Sequence, residues 1–228
     1  MHMKTLVIIP AYNEEESILS TVSSLKLTVP GIDYVVVNDG SSDNTKAICV
    51  ENDFNTVNLP VNMGLAGGFQ TGMKYAQYHG FDAALQFDAD GQHIPEYVAS
   101  FIEAMEATGD DMVIGSRFIT KKKHFSARMI GSTLLTVLIK LTTGKTITDP
   151  TSGMRLYNRR MIEAFSSGHD LAPEPDTIAY LIRKGATVHE IPIEVKERAA
   201  GESYLSATKS IGYMMRACVS ILILQWFR

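Results

Sequence analysis

Two cysteines in 228 residues, Cys49 and Cys218, are too few and too far apart for a disulfide framework, and neither belongs to a Cys-x-x-Cys pair that would hold a metal. That poverty fits a reducing compartment. Excess positive charge is missing as well: 21 Lys and Arg against 25 Asp and Glu leave a formal net charge of −4, which argues against a general nucleic-acid binder. No apolar run reaches the roughly 20 residues needed to cross a bilayer. The amino terminus turns acidic at Glu14-Glu15-Glu16 directly after a short apolar run, unlike a signal peptide. Internal repeats, low-complexity tracts and clear linkers are absent too. What the chain does have is apolar residues, 45% of the total, enough for one large core.

Those residues come in short runs that alternate with helical periodicity. Thr5 to Ile9 is a continuous, β-branched run of the kind that forms a strand covered on both faces, and Pro10-Ala11-Tyr12-Asn13 ends it. Asn13 is placed to cap a following helix, Glu14 to Glu16 suit its positive end, and Ile18, Val22 and Leu25 recur at helical spacing. Asp33 to Asn38 repeats the pattern, stopping at Asp39-Gly40-Ser41-Ser42-Asp43 before a helix over Asn44 to Val50. Phe54 to Leu59 is a weaker third strand, Asn62-Met63-Gly64-Leu65 leads into a helix through Tyr75, and Ala83 to Phe87 is a fourth strand. Strands alternating with helices predict an α/β fold with a mostly parallel central sheet, whose ligands bind beyond the carboxyl ends of the strands. Tyr12, Glu14, Asp39, Asp88 and Asp90 would then line one crevice.

The chemistry concentrates at Asp88-Ala89-Asp90-Gly91-Gln92-His93. On an extended strand, side chains two apart share a face, so Asp88 and Asp90 would project together and repel unless a cation neutralises them. Oxygen-only ligands suit Mg²⁺ or Mn²⁺, with phosphate oxygens and water completing the shell, which implies a phosphorylated substrate. A solvated Asp-rich turn is the bland alternative. A dinucleotide-binding Rossmann domain would need Gly-x-Gly-x-x-Gly after the first strand, where this chain has Pro10-Ala11-Tyr12-Asn13-Glu14.

Six motifs in order now resemble a known family: Pro10-Ala11-Tyr12-Asn13-Glu14, Val37-Asn38-Asp39-Gly40-Ser41-Ser42-Asp43, Asn62-Met63-Gly64-Leu65, Asp88-Ala89-Asp90-Gly91-Gln92-His93, Gly115-Ser116-Arg117 and Asp149-Pro150-Thr151-Ser152-Gly153. They are similar to the inverting family 2 glycosyltransferases of GT-A fold, and more closely to the polyprenyl-phosphate hexosyltransferases of the dolichol-phosphate mannose synthase group. The resemblance implies a Rossmann-like nucleotide-sugar-binding domain over residues 1–204 and a carboxyl-terminal amphipathic helix over 205–228. It implies that Pro10, Ala11, Tyr12, Glu14, Asp39 and Gly64 hold the nucleotide sugar together with Asp88 and Gln92. Asp88, Asp90 and Gln92 would bind Mg²⁺ or Mn²⁺. Arg117, Arg128 and Ser132 would meet the acceptor, and Asp149 would position the nucleophile or, for a hydroxyl acceptor, take its proton.

The second half reads less regularly. Pro95 opens an amphipathic helix from Glu96 to Ala107, and Asp111 to Gly115 is a fifth strand ending at Ser116-Arg117. Lys121-Lys122-Lys123 precedes Arg128 and a strongly apolar segment, Met129 to Leu141, that fits either core or a membrane interface. Pro173-Glu174-Pro175-Asp176 opens another helix, and Ala186 to Val195 is strand-like with Pro192 favouring a sheet edge. Arg198-Ala199-Ala200-Gly201-Glu202-Ser203-Tyr204 resembles the family's Arg-x-x-Gly-x-Ser-Lys loop, whose arginine closes on the donor phosphates, with Tyr204 where lysine is expected. Ala217 to Phe227, tipped by Trp226, fits an interfacial helix or one docked on its own sheet.

These features predict a metal-dependent, inverting hexosyltransferase. Its donor would be a nucleotide-diphosphate sugar, with uridine as the expected base, and its acceptor a polyprenyl phosphate. It would sit in the cytoplasm, peripherally bound to the inner face of the cell membrane, with a small membrane subunit or a second copy of itself as conceivable partners and no nucleic acid. Transfer to a saccharide hydroxyl and an idle nucleotide-sugar-binding protein are the alternatives.

Overall fold

Leu6, Val7, Ile8 and Ile9 have no solvent exposure at all, because their strand lies inside a sheet covered on both faces. The computed structural model describes residues 3–120, 127–168, 171–196 and 207–223. Its first half alternates strictly: β1 (Thr5–Ala11), α1 (Ile18–Thr28), β2 (Asp33–Asn38), α2 (Thr45–Glu51), β3 (Thr56–Asn58), α3 (Gly64–Tyr78) and β4 (Ala83–Gln86). There follow α4 (Tyr97–Thr108), β5 (Met112–Ser116), α5 (Ala127–Thr143), β6 (Arg155–Asn158), α6 (Arg159–Ser167), α7 (Pro175–Arg183), β7 (Val188–Pro192) and α8 (Ala207–Leu222).

The seven strands form one sheet in the order β3-β2-β1-β4-β6-β5-β7, parallel except for β6, which runs antiparallel to both neighbours. Alternate residues feed opposite layers. Val7, Ile9, Leu85 and Val113 pack with Val22, Leu25 and Phe101 on one face, while Leu6, Ile8, Ala84 and Tyr157 pack with Phe69, Met73 and Phe165 on the other. Each of the valine, leucine, isoleucine, methionine and phenylalanine side chains among them contributes about 1.5–3 kcal/mol on burial. A third cluster joins Ile114 to Leu135, Ile139, Ile178 and Ile221, tying α5, α7 and α8 together.

The chain winds outward from β1 to β3 and then returns to place β4 on the other side of β1. The crevice at this switch, beyond the carboxyl ends of β1 and β4, is where α/β folds bind ligands. Pro10 lies within β1 rather than ending it, in register with Val37. Ile8 directs its carbonyl to β4 and Ala11 directs its own to β2, so Pro10 faces the β4 side. The β4 ladder has already stopped at Gln86 opposite Ile8, and no donor is missed there.

Two elements lie where the sequence shows no pattern, β6 and α6. A four-residue strand led by Arg155 has neither a continuous apolar run nor a clean alternation. Asn158 carries the readable signal, since its Oδ1 accepts from the Met161 amide at 3.0 Å and caps α6, whose buried residues are Met161, Ile162, Phe165 and Ser166. Asn13 does not cap α1 as its position suggests. Its φ is +54° and its side chain turns to the next loop, while α1 begins later, at Ile18. The carboxyl-terminal helix starts at Ala207, ten residues ahead of the run that marks it in the sequence.

Candidate active site

The loops after β1 and β2 are laced together. The Asn13 amide donates to Ser41 Oγ at 3.0 Å, and Asn13 Oδ1 accepts from the Ser42 amide at 2.9 Å. The Glu14 amide donates to Thr45 Oγ1 at 2.9 Å, and the Glu15 amide to Asp43 Oδ2 at 3.1 Å. Burial alone would raise the Asp43 carboxyl, but hydrogen bonds from Thr45 and the Glu15 amide bring it below the usual aspartate range. The lacing brings exposed Tyr12 and half-buried Glu14 to the rim beside Asp39.

Asp39 is buried, and its Oδ1 accepts from the Met63 amide at 2.7 Å, joining the β2 loop to the start of α3. Gly40 makes that junction possible. Its φ is +66°, and a Cβ there would stand 2.6 Å from the Val61 carbonyl carbon, so no other residue fits. Gly64, at φ +75°, receives Asn62 Oδ1 on its amide at 3.0 Å. A Cβ at Gly68, near the start of α3, would stand 3.8 Å from Asp39 Cβ and 3.9 Å from Pro10 Cβ. Pro10 and Asp39 therefore meet beside the start of α3, and the Ala11 carbonyl joins them by accepting from the Asp39 amide at 2.9 Å.

Asp88 and Asp90 do not pair through strand alternation: β4 ends at Gln86, and Asp90 lies in a turn that Gly91 closes at φ +76°. Asp88 Oδ1 accepts from Gln86 Nε2 at 3.2 Å, and Asp90 Oδ1 accepts from the Gln92 amide at 3.0 Å. His93 braces the pair. Its Nδ1 accepts from the Asp88 amide at 2.9 Å, leaving Nε2 as the protonated nitrogen of a neutral ring, 3.6 Å from Asp88 Oδ2. His93 is the site residue that the Asp-x-Asp reading misses; its spacing five residues after Asp88 was the available signal. Gly153 closes the pocket from the β6 side, where a Cβ would sit 2.5 Å from Asp88 Oδ2.

Among the described residues, no group of three or more His, Cys, Asp or Glu side chains gathers to hold a metal ion. Two carboxylates and the Gln92 side-chain oxygen are ligands that would suit a hard divalent cation, with phosphate and water completing its shell; Gln92 Nε2 donates to the Lys196 carbonyl at 3.3 Å. His93 Nδ1 is already spent on a backbone amide.

Asp149 is fully buried and engaged at both oxygens. Arg117 Nε donates to Oδ2 at 2.6 Å and Nη2 to Oδ1 at 2.8 Å, and Thr151 Oγ1 adds a bond to Oδ1 at 3.1 Å. Donating to the Asp149 carboxylate raises the Arg117 guanidinium above its ordinary value. Glu190 on β7 fixes the same loop, accepting from the Thr148 and Asp149 amides at 2.8 and 3.1 Å. Arg117 thus stands on Asp149 rather than alone in the crevice. Ser132 is buried on the inner face of α5. Arg198, Tyr204, Lys121 to Lys123 and the side chain of Arg128 lie outside the described residues.

A seven-stranded, mostly parallel α/β sheet of this order, with an Asp-x-Asp turn at its switch point, is the GT-A architecture of glycosyltransferases. The chain belongs to glycosyl transferase family 2, whose family model matches residues 6–165. It is 30% identical over 220 residues to the polyprenol monophosphomannose synthase of Mycolicibacterium smegmatis, covering 90% of this chain and 82% of that one. It is 31% identical over 218 residues to the undecaprenyl-phosphate mannosyltransferase of Micrococcus luteus, covering 90% and 88%. The fold matches glucosyl-3-phosphoglycerate synthase from Mycobacterium tuberculosis, solved with Mn²⁺, UDP and phosphoglyceric acid, at a TM-score of 0.69 and 18% identity over 98% of this chain and 78% of that one. The protein is a glycosyltransferase enzyme, and these sequence relatives transfer sugars to polyprenyl phosphates.

Proposed function

We propose that this enzyme transfers a hexose, with inversion, from a nucleoside diphosphate sugar to a polyprenyl phosphate at a membrane surface. The observation that carries the choice of acceptor is the engagement of Asp149. A hydroxyl acceptor needs a base to take its proton, and the carboxylate in the position to do so is buried with both oxygens on Arg117. A phosphate acceptor arrives ionised and needs none. Its oxygen attacks the anomeric carbon as the bond from that carbon to the diphosphate breaks, and the electron pair leaves on the nucleoside diphosphate.

Asp39, Tyr12, Glu14 and Gly64 would hold the nucleoside, and Asp88 and Asp90, with Gln92, would hold Mg²⁺ or Mn²⁺ against the diphosphate. The metal, when bound, stabilises the charge that develops on the leaving group. Arg198 would add a guanidinium there. Uridine is the favoured base, supported by the fold neighbour that binds UDP with Mn²⁺.

Membrane docking is supported by the outer faces of two packed helices. α5 turns Leu135 and Ile139 inward and leaves Ile130, Leu134, Val137 and Leu141 exposed, while α8 buries Ala217 and Ile221 and exposes Met215, Val219 and Leu222. Met214 sits against Gly131 where the two helices meet. No described helix is long and apolar enough to cross a membrane, and an amphipathic pair of this kind suits the interface.

The test presents the enzyme and Mn²⁺ with a panel of nucleotide sugars and two acceptors, undecaprenyl phosphate and a soluble oligosaccharide. Thermal shift identifies the donor, since a ligand at 100 times its Kd stabilises by about 2.7 kcal/mol. Sugar on the lipid phosphate is the expected product. Sugar on the oligosaccharide alone would reject the acceptor while leaving the glycosyltransferase intact.

A further inference from the structure

Beneath the two catalytic loops lies a set of buried polar groups that the transfer chemistry does not use. Arg155, on β6, is 2% exposed; its Nη2 donates to the Pro150 carbonyl at 2.9 Å, while Nε and Nη1 make no hydrogen bond of good geometry, the buried Tyr157 hydroxyl on the same strand being their polar neighbour. Gln86 is its register partner across the antiparallel ladder, so both side chains leave the same face of the sheet. Gln86 Nε2 holds Asp88 Oδ1 at 3.2 Å, and Gln86 Oε1 is buried without a partner.

A brace reaches this pair from α8. Glu174, directly ahead of α7, is near enough to Arg155 and to the Tyr213 hydroxyl for its carboxyl to feel both. Burial raises the Glu174 carboxyl above its ordinary value, with the nearby Tyr213 hydroxyl and the Arg155 charge working against that rise. Seven residues further along α8, Ser220 Oγ donates to Asp176 Oδ2 at 2.6 Å. α8 is thus pinned by polar contacts to the start of α7, where Arg155 is also felt.

A buried guanidinium with two nitrogens lacking a hydrogen bond of good geometry, beside an unmatched amide oxygen, is unfavourable for the fold. A position needed only for packing is better filled by an apolar side chain of similar volume. Arg155 instead touches the loop that carries Asp149 and stands in register with the residue that holds Asp88. We propose that Arg155 is a positioning residue of the transfer reaction, braced from α8 through Glu174 and Tyr213, and that it sets the Asp88 carboxylate against the Asp149 loop. The proposal rests on the glycosyltransferase reading above and adds residues to it. A shift of Arg155 moves the metal carboxylate through Gln86 and the loop through Pro150 together.

Three variants, Arg155→Met, Arg155→Lys and Tyr213→Phe, test it against wild type. The readouts are Tm, calorimetric binding of UDP with Mn²⁺, and kcat and KM for transfer to undecaprenyl phosphate. Arg155→Met is expected to lower kcat about 10- to 100-fold, the scale of a misplaced reacting group, to weaken UDP binding with Mn²⁺, and to leave Tm within about 4 °C. Arg155→Lys keeps the charge and one donor for Pro150 and recovers part of the loss. Tyr213→Phe removes a single hydroxyl, lowers kcat less than Arg155→Met, and leaves KM for undecaprenyl phosphate unchanged. Wild-type kcat in both Arg155→Met and Tyr213→Phe overturns the proposal, as does a fall in kcat that merely follows Tm across the variants. Should Arg155→Met fail to fold, unchanged kcat and UDP affinity in the other two overturn it equally. If wild type transfers no sugar, the acceptor reading fails on its own, and UDP binding with Mn²⁺ alone then decides Arg155.

Discussion

Arg117 and Asp149, 32 residues apart in sequence, meet as a two-pronged ion pair with the carboxylate fully buried and the guanidinium a quarter exposed. The pair joins the end of β5 to the loop ahead of β6 and, with Thr151, engages both Asp149 oxygens.

Arg117→Met should therefore destabilise the fold by about 3–5 kcal/mol, because it strands a buried charge. Asp149→Asn in the same chain should recover part of that loss. Urea unfolding of the two single variants and the double variant measures the coupling; strictly additive losses would show that the pair is not held as described.

If Asp90 holds the metal as proposed, Asp90→Asn should lower transfer at least about 100-fold, with little change in Tm because the asparagine oxygen can still accept from the Gln92 amide. Gly153→Ala offers a contrast. Its new Cβ would meet Asp88 Oδ2 at 2.5 Å, so Mn²⁺-dependent nucleotide binding should weaken although no ligand has been replaced. Calorimetry at fixed Mn²⁺ checks both, and unchanged binding in both would remove the metal from the Asp-x-Asp turn.

Binding to anionic vesicles should fall when Leu134 and Val219, both about half exposed, become Glu. Truncation from Ser220 is the poorer test, because Ile221 is fully buried and its loss would open the core. Wild-type binding should weaken with salt, each basic residue near the surface contributing about 1 kcal/mol. Vesicle flotation reads both effects, and salt-insensitive binding would argue against the basic run.

Asp43 ties the β1 and β2 loops, and its carboxyl is lower in the folded chain than in the unfolded one. A depressed carboxylate stabilises the fold above its unfolded value, near pH 4, and loses that contribution as pH falls through the folded value. Asp43→Ala should accordingly lower Tm at pH 7, with the gap to wild type closing as the pH drops below about 4. A gap independent of pH would mean the hydroxyl and amide partners, not the charge, matter.

Much of the first half was legible because its signals are local. Continuous β-branched runs marked β1 and β2, Ile18, Val22 and Leu25 marked α1, and the Asp-rich turns marked the strand ends that form the crevice. Asp88 and Asp90 are not strand neighbours as their spacing suggests, since β4 stops at Gln86 and Asp90 lies in the turn that follows. β6 escaped notice because a short strand bearing Arg155 is apolar only in part, and because its antiparallel direction depends on a crossover that no local pattern encodes.

The sequence by itself determined the class: alternating strands and helices, an Asp-x-Asp turn and six ordered motifs require only short-range pattern and spacing. Tertiary structure alone decided the partners. Arg117 lies against Asp149, Gly153 against Asp88, and Gln86 against Arg155 because antiparallel β6 slots between β4 and β5 and brings its flanking loop over the carboxylates. Such contacts depend on strand order and register, which are fixed by burying two sheet faces at once, and that is a property of the whole chain rather than of any segment of it.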